Sequence, residues 1–158
     1  MLPSYPDHTL YHFSEDRHLT SFAPRAPLER PHIEPLVWAI DEWHAPMYYF
    51  PRDCPRACFW PCDVTTAQDR ERWFGHVGAR MVIAVESAWL DRIRKAVLYR
   101  YTLPHESFAL HDETAGHWVS RETIVPLAVE PVGDLLEALT AADVELRITP
   151  NLSELWRR

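Results

Sequence analysis

Hydrophobic positions along the chain fall into short runs that favour strands over long helices. Residues 36–40 are apolar at every position, which is typical of a central strand buried on both faces. Residues 97–103 alternate instead, so Tyr99 and Tyr101 share one face of a predicted strand. The same reasoning predicts further strands at residues 9–13, 57–60, 80–85, 108–110, 117–120, 124–129 and 144–148.

Helix signals are fewer and predict short helices. Thr66 followed by Asp69 resembles a capping box, and Ser87 and Asp41 are also typical N-cap residues. Pro46 limits the helix after Asp41 to a short one. With the leucine-rich stretch at 133–142 and a short helix from 151, four or five short helices are expected.

The combined pattern predicts an α+β fold with a mostly antiparallel or mixed β-sheet. Links between the later strands are too short for crossover helices, so these strands should pair antiparallel. A length of 158 residues corresponds to a single domain over 1–158. The chain has no internal repeat. Four prolines punctuate the stretch 23–35, which predicts an extended loop.

Composition excludes several classes of protein. The apolar fraction is 47% and the charged fraction 25%, as in ordinary globular proteins. No apolar run approaches the roughly 20 residues of a membrane helix, and the N-terminal residues do not resemble a signal peptide. We therefore expect a cytoplasmic protein without a membrane partner. A net charge of −7 argues against general binding to nucleic acid.

Two residue types restrict the chemistry further. The chain has 4 glycines, and they form neither of the two common glycine-rich phosphate loops. Its 3 cysteines, Cys54, Cys58 and Cys62, do not follow a standard zinc spacing. Buried, inert thiols are the preferred interpretation, and a metal site is the alternative.

Three regions carry candidate ligand-binding or catalytic residues. His12 lies in a predicted strand, either as a core histidine bonded to a backbone carbonyl or as a ligand-holding imidazole. The segment 37–50 is rich in aromatic residues, including Trp38, Tyr48 and Tyr49. These side chains either fill the core or form a surface on which a planar ring stacks. Glu122 precedes a predicted strand. It is either a solvated turn residue or a carboxylate that stabilises developing positive charge on a ligand.

A second cluster consists of His111, Asp112 and His117. Two histidines and a carboxylate are the ligand types of a metal-dependent hydrolase. The residues between them are typical of a turn, so the preferred interpretation is that His111, Asp112 and His117 are exposed residues at a turn.

The stretches Leu10-Tyr-His-Phe-Ser-Glu-Asp and Val37-Trp-Ala-Ile-Asp-Glu, followed by His-Ala-Pro and Phe50-Pro-Arg-Asp-Cys-Pro-Arg, together with Val144-Glu-Leu-Arg, resemble an uncharacterised bacterial domain-of-unknown-function family. This resemblance covers most of the chain and implies no activity.

A remoter resemblance is to the ADP-ribosyltransferase-like fold. That resemblance implies NAD as the candidate substrate, with His12 holding a ribose hydroxyl and Glu122 stabilising the oxocarbenium-like sugar. An aromatic side chain, Trp38, Tyr48 or Tyr49, would stack on nicotinamide. The chain departs from the pattern because Trp38 stands where tyrosine is usual and Phe13 and Ser14 follow His12.

The sequence therefore predicts a small-molecule cleft and leaves its use open. The first hypothesis is ADP-ribosyl transfer from NAD, so enzymatic activity stays uncertain. The second is a non-catalytic ligand-binding or interaction domain, with a planar ring on Trp38 or Tyr48 and an anionic group on Arg17 or Arg25. The expected ligand-contacting residues are Tyr11, Ser14, Arg25, Trp38, Tyr48 and Tyr49.

Overall fold

The computed structural model describes residues 9–26, 28–62, 65–74 and 78–153, without the side chain of Trp73. Two compact units emerge from the contacts within the chain. The first comprises the chain up to Tyr48 together with Leu98–Val132, and the second comprises Tyr49–Val97 and the chain from Gly133 onward. Each unit carries its own β-sheet.

The first unit is built on a six-stranded antiparallel sheet with the order β6-β7-β2-β1-β5-β8. Its strands are β1 (Leu10–Ser14), β2 (Val37–Asp41), β5 (Tyr99–Leu103), β6 (Ala109–Asp112), β7 (His117–Ser120) and β8 (Ala128–Pro131). β1 and β2 lie at the centre of the sheet, and both correspond to strands predicted from the sequence.

One face of this sheet carries the core of the first unit. We call it the core face; its buried side chains are Leu10, Val37, Ala39, Tyr101, Leu103 and Trp118, joined by Phe108 and Ile124. Tyr101 is fully buried, and its hydroxyl donates to the Asp16 carbonyl oxygen while accepting the Leu19 backbone N–H. These two bonds anchor the loop after β1 over the core.

The second unit contains a three-stranded mixed sheet with the order β3-β4-β9. Its strands are β3 (Arg56–Phe59), β4 (Met81–Glu86) and β9 (Val144–Thr149). β4 is central and buried over Met81–Val85, as its unbroken apolar sequence favours. It pairs antiparallel with β3 and parallel with β9.

Three α-helices accompany the second sheet: α1 (Ala67–Trp73), α2 (Leu90–Lys95) and α3 (Leu135–Ala141). The predicted cap of α1 is confirmed, because the Thr66 side chain accepts the Asp69 backbone N–H. Asp134 caps α3 in the same way, by accepting the Glu137 backbone N–H.

The α+β class is confirmed, but the expected number of helices is too high. The described residues contain three α-helices and two 3-10 turns, at Ala45–Tyr48 and Ser87–Trp89. Asp41 does accept the His44 backbone N–H, yet only a 3-10 turn follows it because Pro46 lacks an N–H to continue a helix. Of the helix predicted from 151, residues 154–158 lie outside the described residues.

The strand predicted at 124–129 is wrong in its extent. Ile124 forms an isolated bridge with Phe22, and β8 begins only at Ala128. Pro126 lies between the two and cannot donate to a ladder, which explains the interruption. The expectation that β2 is buried on both faces is also wrong at Trp38, which is 39% exposed.

The described residues of the proline-rich stretch 23–35 form no helix or strand, apart from the isolated bridge of Arg25 with Leu36. Pro27 lies outside the described residues. Among the described residues, no helix has the length and apolar character needed to cross a membrane.

Candidate functional site

The strand register divides the predicted ligand residues between the two faces of the first sheet. His12 pairs with Tyr101, whose side chain lies in the core. Trp38 stands between Val37 and Ala39, which are also core residues. Because successive side chains of a strand point to opposite faces, His12 lies on the core face and Trp38 on the other.

His12 is a partly buried histidine bonded to the backbone. Its imidazole donates to the backbone carbonyl of Trp38, and its ring lies 4.6 Å from that of Phe22. Burial, assisted by the nearby positive charge of Arg25, lowers the pKa of His12 below its usual range. The structure thus corresponds to the core-histidine interpretation, with a neutral ring at neutral pH.

The opposite face carries a cluster of aromatic and imidazole rings. We call it the histidine face and define it by Trp38, His111 and His117 of the sheet together with Tyr48. The indole of Trp38 lies 4.8 Å from the ring of His111 and 5.8 Å from that of His117, nearly perpendicular to both. A shift in register between Leu110 and Asp112 places a β-bulge at His111.

Tyr48 and His117 form the polar part of this cluster. The Tyr48 hydroxyl and His117 Nε2 share a hydrogen bond of 2.8 Å. Burial lowers the pKa of His117; Asp112 and Asp41 oppose that effect, whereas His111 adds to it. In its neutral form with the proton on Nδ1, His117 accepts a hydrogen bond at Nε2 from the Tyr48 hydroxyl.

A turn after β2 supports the residue that precedes His117. Asp41 Oδ1 accepts both the backbone N–H of His44 and its ring Nδ1–H, the latter at 2.7 Å. His44 is buried, and its ring packs against Gly116. Gly116 has a φ of +73° and its carbonyl oxygen accepts the Asp41 backbone N–H at 3.0 Å. The turn and the glycine therefore fix each other next to His117.

The remaining predicted residues do not gather at the histidine face. Tyr11 lies on the same sheet face as Trp38 by alternation but is buried under the guanidinium of Arg100. Ser14 accepts the backbone N–H of Asp16 in a turn, and Arg25 is adjacent to His12. Tyr49 belongs to the second unit, where it is buried.

The sheet lies between the side chains of His12 and Trp38, so the structure does not bring these two predicted residues together. Glu122 lies beyond β7 with its side chain exposed, and its backbone N–H donates to Ser120 Oγ. Its neighbour two residues on, Ile124, bridges Phe22, so Glu122 belongs to the chain segment that covers the core face.

The geometry does not support the alternative of a metal site at His111, Asp112 and His117. Within the described ranges, no three histidine, cysteine, aspartate or glutamate side chains group as they would around a metal ion. His111, Asp112 and His117 are neighbours without forming such a group. Asp112 Oδ1 instead accepts the Ala115 backbone N–H, as in the predicted turn.

The three cysteines differ in exposure: Cys54 is buried, Cys58 is half-buried and Cys62 is exposed. Cys54 is buried, and burial raises the pKa of its thiol. Burial likewise raises the pKa of Cys58 to about 11. The expectation of buried thiols is wrong for Cys62, which is exposed.

Sequence reasoning missed Asp41 and His44 as a side-chain pair. From the sequence, Asp41 is only a candidate helix cap, and His44 is only a member of the aromatic-rich segment 37–50. The available signal was their spacing of three residues, which lets one carboxylate bond both the backbone N–H and the ring of the histidine. Their proximity to Gly116 depends on the pairing of β2 with β7 and has no local signal.

Comparison with known proteins confirms one of the two resemblances. The profile of a family of unknown function (DUF6886) matches residues 11–158, which is nearly the whole chain. The chain belongs to the DUF6886 family. The match covers every residue of the histidine face. No curated protein and no solved structure has significant similarity to the chain, so the ADP-ribosyltransferase-like resemblance stays unconfirmed.

Proposed function

We propose that this DUF6886 protein binds a small planar ligand at the histidine face, with the ring of the ligand against Trp38. The observation that carries the proposal is the exposure of Trp38. A tryptophan is normally well buried, yet this side chain is 39% exposed at the centre of a cluster of polar rings.

The surrounding groups supply the polar contacts of such a site. Tyr48 and His117 present a hydroxyl and an imidazole that exchange one hydrogen bond between them. A ligand carrying an amide or a ring nitrogen would bond to this pair while its ring contacts Trp38. Ligand sites typically combine such an apolar surface with a few positioned polar groups.

NAD is the first ligand to test, because its nicotinamide ring carries a carboxamide and its adenine a ring nitrogen. ADP-ribosyl transfer itself is not part of the proposal. That reaction was expected to use His12 and Glu122 with a stacking aromatic residue, and the sheet separates His12 from Trp38. The proposal is therefore binding without an assigned reaction.

Tryptophan fluorescence during titration tests this proposal. NAD, nicotinamide and adenosine are added to the wild type, to Trp38→Phe and to Trp89→Phe. Trp89 is a partly exposed tryptophan of the second unit, with its ring 3.7 Å from the guanidinium carbon of Arg92, and provides the matched control.

The proposal predicts a saturable fluorescence change with at least one of the three compounds, absent in Trp38→Phe and preserved in Trp89→Phe. A change that persists undiminished in Trp38→Phe places the ligand elsewhere. No saturable change with any of the three compounds at millimolar concentration contradicts the proposal.

A further inference from the structure

The rings of the histidine face meet edge to face rather than in a flat stack. The planes of Trp38 and His111 meet at 78°, those of Trp38 and His117 at 89°, and those of Tyr48 and His117 at 61°. The ring centroids of these pairs are 4.8, 5.8 and 6.3 Å apart. In each pair the edge of one ring meets the face of the other, and the Trp38 side chain remains 39% exposed to solvent.

Two carboxylates lie near these rings. Asp112 faces His117 from β6, where it is also its register partner, and Asp41 faces it from the end of β2. The other titratable groups that act on His117 are His111 and His44. Of the described cations, Arg100 of β5 is paired with Glu130, and Arg25 acts on His12 at the core face.

We propose that the ligand of the histidine face is a small organic cation, of the pyridinium or quaternary ammonium class. The negative face of the half-exposed Trp38 indole attracts a delocalised positive charge, as tryptophan does in its interactions with organic cations. The carboxylate of Asp112 adds a favourable charge interaction. This inference rests on the ligand site proposed above and specifies the charge of its ligand.

His117 fits this role because its ring is neutral near neutral pH. Burial lowers its pKa, so it contributes a polar ring without a competing positive charge. Acidification protonates His117 and should weaken binding of the cation. An anionic ligand would show the opposite dependence, since a protonated His117 would attract it.

A pair of compounds that differ in charge tests the inference. 1-Methylnicotinamide is a cation, and nicotinamide is its neutral counterpart with nearly the same ring and carboxamide. Their dissociation constants are measured by isothermal titration calorimetry for the wild type, for Asp112→Asn and for Asp91→Asn. Asparagine at 112 keeps the oxygen that accepts the Ala115 backbone N–H, so the turn is retained.

Asp91→Asn is the control for net charge. Asp91 is an exposed residue of α2 in the second unit, with its carboxylate 3.9 Å from Arg94. This variant removes the same charge as Asp112→Asn from a residue of the second unit.

We expect 1-methylnicotinamide to bind the wild type at least about fivefold more tightly than nicotinamide. This preference should shrink in Asp112→Asn and persist in Asp91→Asn. If nicotinamide binds as tightly as 1-methylnicotinamide or more tightly, the inference that the ligand is a cation is wrong. The proposed ligand site is then still supported. A preference that Asp112→Asn leaves unchanged also overturns the inference. If neither compound binds at millimolar concentration, the inference fails, and the titration with NAD, nicotinamide and adenosine decides separately whether the site binds a ligand.

Discussion

Gly116 illustrates how a single residue shapes the candidate site. Its positive φ is a conformation that side-chain-bearing residues rarely adopt, and its Cα faces the ring of His44. A Cβ at this position would lie 2.6 Å from His44 Cγ and 2.8 Å from Asp41 Oδ2. Both atoms are held by the hydrogen bond between Asp41 and His44, so neither can move away freely.

We therefore expect Gly116→Ala to destabilise the protein by more than about 2 kcal/mol, which combines the left-handed backbone and the steric overlap. Gly133→Ala is the control, because Gly133 also has a positive φ but nothing lies within 4 Å of its added Cβ. Chemical denaturation should show that Gly133→Ala lowers the free energy of unfolding by only about 1–2 kcal/mol. Equal losses in the two variants would contradict the packing of His44 against Gly116.

Some side-chain interactions of single residues could be predicted from the sequence. The spacing of Thr66 and Asp69 correctly predicted a capped helix, because an N-cap bond involves only neighbours in the chain. His12 allowed two interpretations, since a strand pattern gives the alternation of side chains but not the element that covers each face. The face of His12 became clear only through its pairing with Tyr101.

Elements were predicted well where their signal lies within a few residues. The alternation in 97–103 corresponds to β5, and the apolar run in 80–85 corresponds to the central strand β4. The prediction at 124–129 failed because Ile124 and β8 pair with different partners, Phe22 and β5. Such partners are distant in sequence and leave no local pattern.

The helix starts offer a test at the level of elements. Thr66 and Asp134 each accept a backbone N–H three residues on, whereas the 3-10 turn beginning at Ser87 has no side-chain cap bond. Thr66→Ala and Asp134→Ala should each lower the free energy of unfolding by about 1 kcal/mol. Ser87→Ala should change it by less than about 0.5 kcal/mol. A loss in Ser87→Ala as large as in the other two would show that Ser87 acts as the predicted cap.

Folding stability of the whole molecule should depend on the neutral forms of two histidines. Burial holds the pKa values of His12 and His117 below 6.5 in the folded protein. Below that pH the unfolded chain binds more protons than the folded one, so stability falls as the pH decreases. The contribution of these histidines is fully present above pH 6.5 and is lost progressively on acidification.

Denaturation of wild type and His12→Gln at about pH 7 and about pH 5 measures this contribution. Glutamine retains an N–H donor for the Trp38 carbonyl but does not titrate, so His12→Gln should lose less stability on acidification than the wild type. The exposed residue His18 provides the control variant, His18→Gln, which should behave as the wild type does. An identical loss in His12→Gln and wild type would argue that His12 is not buried as a neutral donor.

At the scale of the molecule, each of the two units is assembled from separate stretches of chain. The sequence predicted one domain because neither composition nor a linker marks a boundary between these stretches. The candidate site was predicted in its residue types, since Trp38, Tyr48, His111 and His117 were all singled out. Their assembly on one face follows from the pairing of β2 with β7 and β7 with β6, which is non-local.

The most direct test of the ligand site is a chemical-shift map of the ¹⁵N-labelled protein during titration with 1-methylnicotinamide and, separately, with NAD. The account predicts saturable shifts centred on the indole N–H of Trp38 and on the backbone amides of His111 and His117, with the amides of Phe22 and Arg25 unmoved. Shifts centred on Phe22 and Arg25, or no saturable shift at the histidine face with either compound, would contradict it.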